Sequence, residues 1–238
     1  MSAGKTAPDA IGEATARLLL EAGAVQVSRG QPFVLAAGWA SPVYVDCRLL
    51  IGQPSWRQTA TALAAAAIAQ RLAPGRIEAI AGAETAGIAF AAWLADRLEL
   101  PLRYVRKRPL GIGHNAQVEG GPVDGLEVLL MDDLTTDAAS KVAFARGLRA
   151  AGATVTQVLT IFYHQVFPGA AERLAQDGLT LHALAGWDDV LRADRGEWLA
   201  AEDRREIERF LADPIAWSTR HGGRSAPGAR QPVRRESS

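Results

Sequence analysis

Apolar segments followed by helical patterns recur along the middle of the chain, and this alternation limits the folds available to it. The segment IEAIAGA precedes TAGIAFAAWLADRL, and LEVLLMDD precedes ASKVAFARGLRAAGA, after which TVTQVLTIFY follows. Strands without polar alternation are covered on both faces, and helices that connect them make the strands parallel. The sequence therefore predicts an α/β fold in which helices flank a central parallel sheet.

The first part of the chain shows shorter and less regular patterns. Asp9 is predicted to cap a first helix that ends near Gly23. In FVLAAGWASPVYVDCRLL, residues 33–50, apolar and small residues alternate around a turn at residues 38–42, which is typical of a hairpin or an edge pair of strands. An Ala-rich helix is predicted over residues 55–72, ended by the Pro-Gly pair that follows it.

Length and charge exclude several classes of protein. A chain of 238 residues can form one sizeable core, and we expect a single domain over residues 1–220. The chain carries 26 Lys and Arg against 26 Asp and Glu, so it has no overall field that would attract nucleic acid or an anionic membrane. Neither is expected as a partner. Residues 221–238 lack an apolar pattern and are rich in Gly, Pro, Ser and Arg, which predicts a disordered tail.

The single cysteine and the lack of long apolar segments indicate the compartment. Cys47 cannot form an internal disulfide, and we expect it to be a small buried side chain rather than a nucleophile. The longest Ala-rich run, residues 60–69, is much shorter than the roughly 20 residues that a membrane-spanning helix needs. We therefore expect a cytoplasmic protein.

Residues 128–141, VLLMDDLTTDAASK, place two carboxylates and several hydroxyls directly after an apolar run. A buried strand is predicted over residues 128–131, with Asp132 and Asp133 at its exit and a loop over residues 135–140 before a helix. Ligands of parallel α/β sheets bind beyond the carboxyl ends of the strands. The N–H groups at a helix start favour phosphate, and paired carboxylates suit vicinal sugar hydroxyls or a metal. The combination indicates a ribose phosphate site.

The same patterns also fit structural interpretations. Asp132 and Asp133 could cap the turn, and the threonines could bond to their own backbone. Arg106, Lys107 and Arg108 end a predicted strand and lead into a Gly-rich loop that could close over a polyanion. Three basic residues are also common at a solvated strand end. The residue pattern alone leaves these alternatives open.

The stretch VLLMDDLTTDAASK resembles the phosphoribosyl-pyrophosphate motif of the type I phosphoribosyltransferases. Further segments are similar to the orotate phosphoribosyltransferases: FVLAAGWASPVYVDCR to their N-terminal hood, AGAETAGIAFAAWLADRL to their diphosphate-side loop and helix, and YVRKRPLGIGHNAQVEG to their mobile catalytic loop. LHALAGWDDVL and FLADPIAWSTRHGG resemble a bacterial branch of that family. The resemblance implies a type I phosphoribosyltransferase-like parallel sheet, with a small hood from about residues 1–50.

The resemblance also implies an activity and a set of site residues. The expected reaction transfers ribose 5-phosphate from phosphoribosyl pyrophosphate to orotate, with Mg²⁺ as cofactor, in a homodimer whose Lys107 reaches the diphosphate across the interface. Lys107, Asp132 and Asp133 are implied as catalytic, and no metal ligand of the protein is singled out. The implied substrate-binding residues are Arg106, Lys107, Arg108, His114, Asp132, Asp133, Thr135, Thr136, Asp137, Ala138, Ala139 and Ser140.

Several positions depart from the family pattern. Ala138 stands where the family usually has glycine, and Ala139 where it often has glycine or threonine. Leu110 stands where the family usually has lysine, and Ile112 where it usually has histidine. Neither Leu110 nor Ile112 can donate to a diphosphate oxygen, so we expect a slow enzyme. One alternative is a non-catalytic relative that binds a phosphoribosyl compound or nucleotide as a sensor or partner. Another is transfer to a different base.

Overall fold

The computed structural model describes residues 9–35, 37–72, 77–109 and 117–226. Its helices are α1 (Ala10–Glu21), α2 (Leu49–Gly52), α3 (Pro54–Arg71), α4 (Ala86–Leu98), α5 (Ala139–Ala150), α6 (Ala170–Gln176), α7 (Trp187–Ala193), α8 (Ala201–Ala212) and α9 (Pro214–Arg220). Its strands are β1 (Val25–Val27), β2 (Phe33–Val34), β3 (Ala40–Ser41), β4 (Val43–Val45), β5 (Ala79–Ala83), β6 (Leu102–Val105), β7 (Val118–Glu119), β8 (Val128–Thr135), β9 (Gln157–Tyr163) and β10 (Thr180–Ala185). Strands and helices alternate through the middle of the chain, as the sequence pattern predicts.

The central sheet has the strand order β10-β9-β8-β5-β6-β7. Neighbouring strands from β10 to β6 are parallel, whereas β7 pairs antiparallel with β6 at the edge. The predicted parallel sheet is therefore confirmed, with an antiparallel edge strand in addition. The sequence pattern does not predict β7, because a strand of two residues is too short to show a period.

Helices cover both faces of the central sheet, and alternate residues of its strands supply the two cores. On β8, Leu129 and Met131 belong to the core shared with α3 and α4. Val128 and Leu130 belong to the core shared with α5 and α6. The neighbouring strand β5 is buried at every position. Both faces of these strands meet helices, which explains why their sequences are continuously apolar.

Short antiparallel pairs form the N-terminal hood. Phe33 of β2 pairs with Ser41 of β3 across a turn in which Gly38 has φ 85°, and this confirms the predicted hairpin. Its turn is predicted over residues 38–42, but β3 (Ala40–Ser41) lies within that range, so the predicted bounds of the turn are wrong. Glycine suits the turn because it has no Cβ to clash at positive φ. The pairing of β1 with β4 is a second antiparallel ladder, which the sequence pattern does not predict because β1 has only three residues.

The starts of α1 and α3 contain residues that favour the beginning of a helix. Asp9 Oδ1 accepts a hydrogen bond from the Ile11 N–H at 3.0 Å, which confirms the cap of α1. α3 begins at Pro54, where the missing N–H of proline costs no helical hydrogen bond. The Pro-Gly pair expected to end α3 falls in residues 73–76, outside the described residues. Over the described ranges, no helix is long and apolar enough to cross a membrane.

The C-terminal helix returns to the hood. The buried Ser218 of α9 accepts a hydrogen bond from the Ala40 N–H at 3.0 Å and donates to the Arg224 carbonyl at 2.8 Å. The Arg224 N–H in turn donates to the Gly38 carbonyl at 3.0 Å. The described part of the predicted disordered tail, residues 221–226, is thus hydrogen-bonded to the hood through Arg224. The remainder of that tail lies outside the described residues.

Candidate active site

The two adjacent carboxylates lie within β8 rather than after it. The ladder of β8 with β9 continues through Asp132 and Leu134 to Thr135, so the predicted strand end at Met131 is wrong. The ladder with β5 does end at Met131. From Asp132 onward, β8 therefore pairs on one side only, and the acid pair lies where the sheet becomes narrower.

A buried lysine neutralises the first of these carboxylates. Lys141, in the first turn of α5, approaches Asp132 Oδ2 at 2.5 Å, and the two side chains are only 4% and 9% exposed. The same ammonium donates to the Leu134 carbonyl at 2.6 Å and to Ser140 Oγ at 3.2 Å. The sequence analysis missed Lys141. A signal was present, because Lys141 shares its helix face with the buried Leu148.

The second carboxylate has different surroundings. Burial raises the pKa of Asp133 to about 7, and the neighbouring charge of Asp132 acts in the same direction. Asp133 Oδ1 accepts a hydrogen bond from the Leu134 N–H at 2.8 Å. Among the described residues, none donates to its Oδ2. Asp133 therefore keeps an acceptor that a hydroxyl group or a metal ion can use.

The loop between β8 and α5 comprises residues 136–138 and is shorter than predicted. Thr135 is the last residue of the strand, whereas Ala139 and Ser140 are already helical. Ala138 has φ 60° and ψ 3°, in the left-handed region that favours glycine. The structure therefore gives a physical reason for the glycine expected at this position.

Two free backbone donors follow the loop, in the first turn of α5. Asp137 Oδ1 accepts from the Ala139 N–H at 3.1 Å, so Asp137 makes the capping contact that the structural interpretation assigns to Asp132 and Asp133. No described residue accepts a hydrogen bond from the N–H of Ser140 or Lys141. Arg173 of α6, which the sequence analysis missed, donates to the Asp137 carbonyl and brings a positive charge to the loop. Free amides and a nearby cation suit an anion such as phosphate.

The first of the three predicted basic residues takes part in the β6–β7 hairpin. The Arg106 guanidinium donates to Glu119 Oε1 at 3.2 Å and to the Tyr104 hydroxyl at 3.0 Å. Its backbone N–H donates to the Gln117 carbonyl at 2.8 Å, and the Gln117 side chain donates back to the Arg106 carbonyl at 3.1 Å. These bonds close the base of the loop that joins β6 to β7.

The next two basic residues have exposed side chains. Lys107 and Arg108 follow β6, and the Lys107 N–H donates to Glu84 Oε2 at 2.7 Å. Glu84 belongs to the segment between β5 and α4, which resembles the diphosphate-side loop, so this hydrogen bond joins the two loops. Leu110, Ile112 and the predicted ligand His114 lie outside the described residues.

The end of the hood lies near the acid pair. Cys47 is fully buried, as predicted, and burial raises the pKa of its thiol well above the ordinary value. The charges of Asp133, Asp46 and Asp132 act in the same direction, so the thiol stays protonated. Arg48 forms a two-point ion pair with Asp46 at 2.6 and 2.9 Å. That pair raises the pKa of Arg48, to which the charge of Asp133 also contributes.

Two buried polar atoms at the carboxyl ends of β8 and β9 have no hydrogen-bond partner among the described residues. They are Thr135 Oγ1 and His164 Nε2. The other ring nitrogen, His164 Nδ1, accepts a hydrogen bond from Trp187 Nε1 at 3.2 Å, so the proton of the neutral ring lies on Nε2. Burial lowers the pKa of His164 to about 4, and the ring is therefore neutral at physiological pH. At this edge of the sheet, His164 Nε2–H is therefore a buried donor without a described acceptor, and Thr135 Oγ1 is a buried hydroxyl without a described partner.

A parallel sheet with an acid pair on a central strand, a short loop into a helix, and an N-terminal hood defines the class of type I phosphoribosyltransferases. The crystal structure of orotate phosphoribosyltransferase from Aeropyrum pernix is similar to this structure with a TM-score of 0.64 and 37% identity, covering 74% of this chain and 96% of that one. Leishmania donovani UMP synthase gives a TM-score of 0.71 at 24% identity, over 84% of this chain and 42% of that one, which shows the fold alone.

Sequence similarity narrows the class to a family. The chain is 44% identical to the orotate phosphoribosyltransferase of Ruegeria sp. over 208 residues, which are 87% of this chain and 92% of that protein. It is also 44% identical to that of Rhizobium rhizogenes over 212 residues, 89% of this chain and 91% of the relative. No family profile matches the chain. The chain belongs to the orotate phosphoribosyltransferase family, which confirms the resemblance described above.

Proposed function

We propose that the chain catalyses the transfer of ribose 5-phosphate from phosphoribosyl pyrophosphate to a ring nitrogen of orotate. The products are orotidine 5′-monophosphate and diphosphate. The observation that carries the proposal is the acid pair of β8 beside the free backbone donors of α5, in a chain that is 44% identical to an orotate phosphoribosyltransferase over 87% of its length. A phosphorylated ribose needs acceptors for its hydroxyls and donors for its phosphate.

In this proposal, the ribose 5-phosphate binds across the loop between β8 and α5. The free N–H groups of Ser140 and Lys141 and the hydroxyl of Thr136 donate to the phosphate oxygens. Asp132 and Asp133 accept hydrogen bonds from the ribose hydroxyls. The loop residues implied by the family resemblance, Thr135, Thr136, Asp137, Ala138, Ala139 and Ser140, keep their predicted binding role.

The leaving diphosphate requires cations. As its bond to the ribose weakens, negative charge grows on the diphosphate and positive charge on the ribose ring. Lys107 and Arg108 are exposed at the end of β6 and can approach a polyanion, whereas Arg106 has hydrogen-bond partners within the hairpin. The carboxylates beside the ribose stabilise the positive charge. We therefore assign the diphosphate to Lys107 and Arg108 first, and Arg106 to the support of the loop.

Magnesium fits this site as an ion that arrives with the substrate. Within residues 9–35, 37–72, 77–109 and 117–226, no three His, Cys, Asp or Glu side chains are grouped as for a metal ion. Mg²⁺ is commonly bound by one or two carboxylates, water and substrate phosphates, so a complete set of protein ligands is not needed. Asp133, with its free oxygen, and Asp132 would hold the ion together with the substrate. It would neutralise charge on the diphosphate.

An assay of diphosphate release tests the activity. Release from phosphoribosyl pyrophosphate with Mg²⁺ should depend on orotate and should not be supported by uracil or adenine. Asp132→Asn combined with Asp133→Asn should abolish release, while Asp188→Asn, which removes an exposed carboxylate of α7, should leave it unchanged. Release with another base would correct the substrate. Binding of phosphoribosyl pyrophosphate without release from any base would favour the non-catalytic alternative.

Mixing two inactive variants tests the proposed homodimer. If Lys107 serves the site of the neighbouring subunit, a Lys107→Ala variant mixed with the Asp132→Asn, Asp133→Asn variant should regain activity, because mixed dimers contain one intact site. Sedimentation at micromolar concentration should show a dimer. A monomer, or no recovery on mixing, would contradict the shared site. We also propose a cytoplasmic location, which the buried free thiol of Cys47 supports because a reducing compartment preserves it.

A further inference from the structure

We propose that Lys141 is a positioning residue that fixes Asp132 and Ser140 relative to each other, so that the acid pair and the loop of residues 136–138 bind ribose 5-phosphate as one unit. This inference rests on the proposed function, because it assigns the ribose and its phosphate to these groups. It adds a residue whose side chain contacts neither the ribose nor the phosphate.

The hydrogen bonds of the ammonium use all of its donors. An ammonium carries three N–H groups. Lys141 Nζ has three acceptors, which are Asp132 Oδ2 at 2.5 Å, the Leu134 carbonyl at 2.6 Å and Ser140 Oγ at 3.2 Å. No donor remains for a substrate oxygen, and the side chain is only 4% exposed. Lys141 therefore acts through its neighbours.

These contacts fix two groups that face the proposed ligand. Ser140 Oγ accepts from Lys141, so its own hydroxyl proton points elsewhere and is available to an anion. Asp132 is held at both oxygens, because Oδ2 accepts from Lys141 and Oδ1 accepts from the Asp133 N–H at 2.9 Å. Two acceptors of Lys141 lie on the strand β8 and one lies on the helix α5. The ammonium thus sets the distance between the ribose end and the phosphate end of the site.

The charge of Lys141 also affects binding of a polyanion. Two adjacent carboxylates would repel the negatively charged phosphoribosyl pyrophosphate. The buried ion pair with Lys141 neutralises the charge of Asp132 and so weakens this repulsion. Arg173 lies near Asp137 and acts on the far side of the loop. Without Lys141, Asp132 would be a buried carboxylate without its counter-ion, which is costly for the fold.

A double-mutant cycle separates positioning from a merely structural role. Binding of ribose 5-phosphate is measured by calorimetry for the wild type, Ser140→Ala, Lys141→Met and the double variant. We expect Lys141→Met to weaken binding at least tenfold, and Ser140→Ala to weaken it severalfold in the wild type but not in the Lys141→Met background. The loss of coupling follows because Ser140 is no longer oriented. In catalysis, the KM for phosphoribosyl pyrophosphate should rise more than the KM for orotate.

Controls keep the test decisive. Arg146→Met removes a cation from the exposed face of the same helix, where it pairs with Asp177, and should leave the affinity unchanged. If Lys141→Met does not fold, the cycle is run with Lys141→Arg, which keeps the charge but cannot reproduce the three ammonium contacts. A folded Lys141 variant with wild-type affinity, or with an undiminished effect of Ser140→Ala, overturns the inference. A wild-type protein that binds neither ribose 5-phosphate nor phosphoribosyl pyrophosphate overturns the proposed function instead.

Discussion

Asp132 and Asp133 are adjacent in the chain, yet their carboxylates differ in their partners. Asp132 faces Lys141 in a buried ion pair, whereas Asp133 has one oxygen without a described donor. This difference lets one strand supply a fixed acceptor and an adaptable one. Two carboxylates in one site usually acquire different pKa values when only one has a counter-ion. The site therefore has one carboxylate whose protonation responds to pH near neutrality.

The raised pKa of Asp133 predicts a pH dependence of stability. The folded-state pKa of about 7 lies above the ordinary value of 3.8, so the folded state binds this proton more tightly than the unfolded state. The contribution of Asp133 to stability is complete below about pH 4 and is lost as pH rises through 7, by on the order of 4 kcal/mol. In urea denaturation without substrate or Mg²⁺, Asp133→Asn should gain stability over the wild type at pH 8 but not at pH 4. Asp188→Asn should have the stability of the wild type at both pH values. If Asp133→Asn changed stability equally at pH 8 and pH 4, the raised pKa of Asp133 would be contradicted.

The left-handed conformation of Ala138 predicts different effects of glycine at two adjacent positions. Ala138→Gly should leave the free energy of unfolding unchanged or raise it by up to about 1 kcal/mol, because relief of about 1–2 kcal/mol of backbone strain exceeds the loss of a buried methyl worth about 0.8 kcal/mol. Ala139→Gly, in the first turn of α5, should cost about 0.5–1 kcal/mol, because glycine disfavours helices. Urea midpoints of the two variants measure the difference. Equal destabilisation would mean that the turn stores no strain.

At the scale of elements, Gln117 connects the β6–β7 hairpin to α5, the helix that follows the loop of residues 136–138. Gln117 joins the hairpin at Arg106 and lies against Gly147 of α5, where a Cβ would come within 2.7 Å of the Gln117 amide nitrogen. A glycine in a helix interior normally lowers helix stability. Here it makes room for the side chain that closes the hairpin.

Gly147→Ala should therefore loosen the hairpin without unfolding the protein. Alanine favours the helix by about 1 kcal/mol, which roughly offsets one lost hydrogen bond. The Gln117 side chain should be displaced, and the Arg106 amide should exchange its hydrogen faster. Gln117→Ala should produce the same faster exchange with an unchanged helix. Unchanged exchange at Arg106 in both variants would show that the anchor has no effect.

The sequence predicts features that depend on local patterns and misses those that depend on packing between distant segments. The acid pair, the helix after it and the buried Cys47 follow from neighbouring residues. The end of β8 does not, because it is set by pairing with β9 and not by its own composition. The position of Lys141 on the buried face of α5 can be read from the sequence, but its pairing with Asp132 cannot, because that pair forms only when the helix packs on the strand. Arg173 belongs to a helix that is remote in sequence.

At the scale of the whole molecule, the C-terminal helix holds the N-terminal hood through one buried hydroxyl. Ser218→Ala should lower the free energy of unfolding by about 1–3 kcal/mol, because the buried Ala40 N–H loses its acceptor. Thr219→Ala, on the exposed side of the same helix, should change it by less than about 0.5 kcal/mol. Urea denaturation of both variants measures the difference, and equal effects would argue against this link.

The hydrogen bonds between hood and C-terminal helix also bear on how the chain is completed during synthesis. Gly38 and Ala40 leave the ribosome well before their partners Arg224 and Ser218, because Ser218 lies 178 residues after Ala40. At about 5–20 residues per second, the interval is roughly 10–40 seconds. A nascent chain therefore presents an unfinished hood throughout this interval, and the turn gains these partners only after the residues between them have been synthesised.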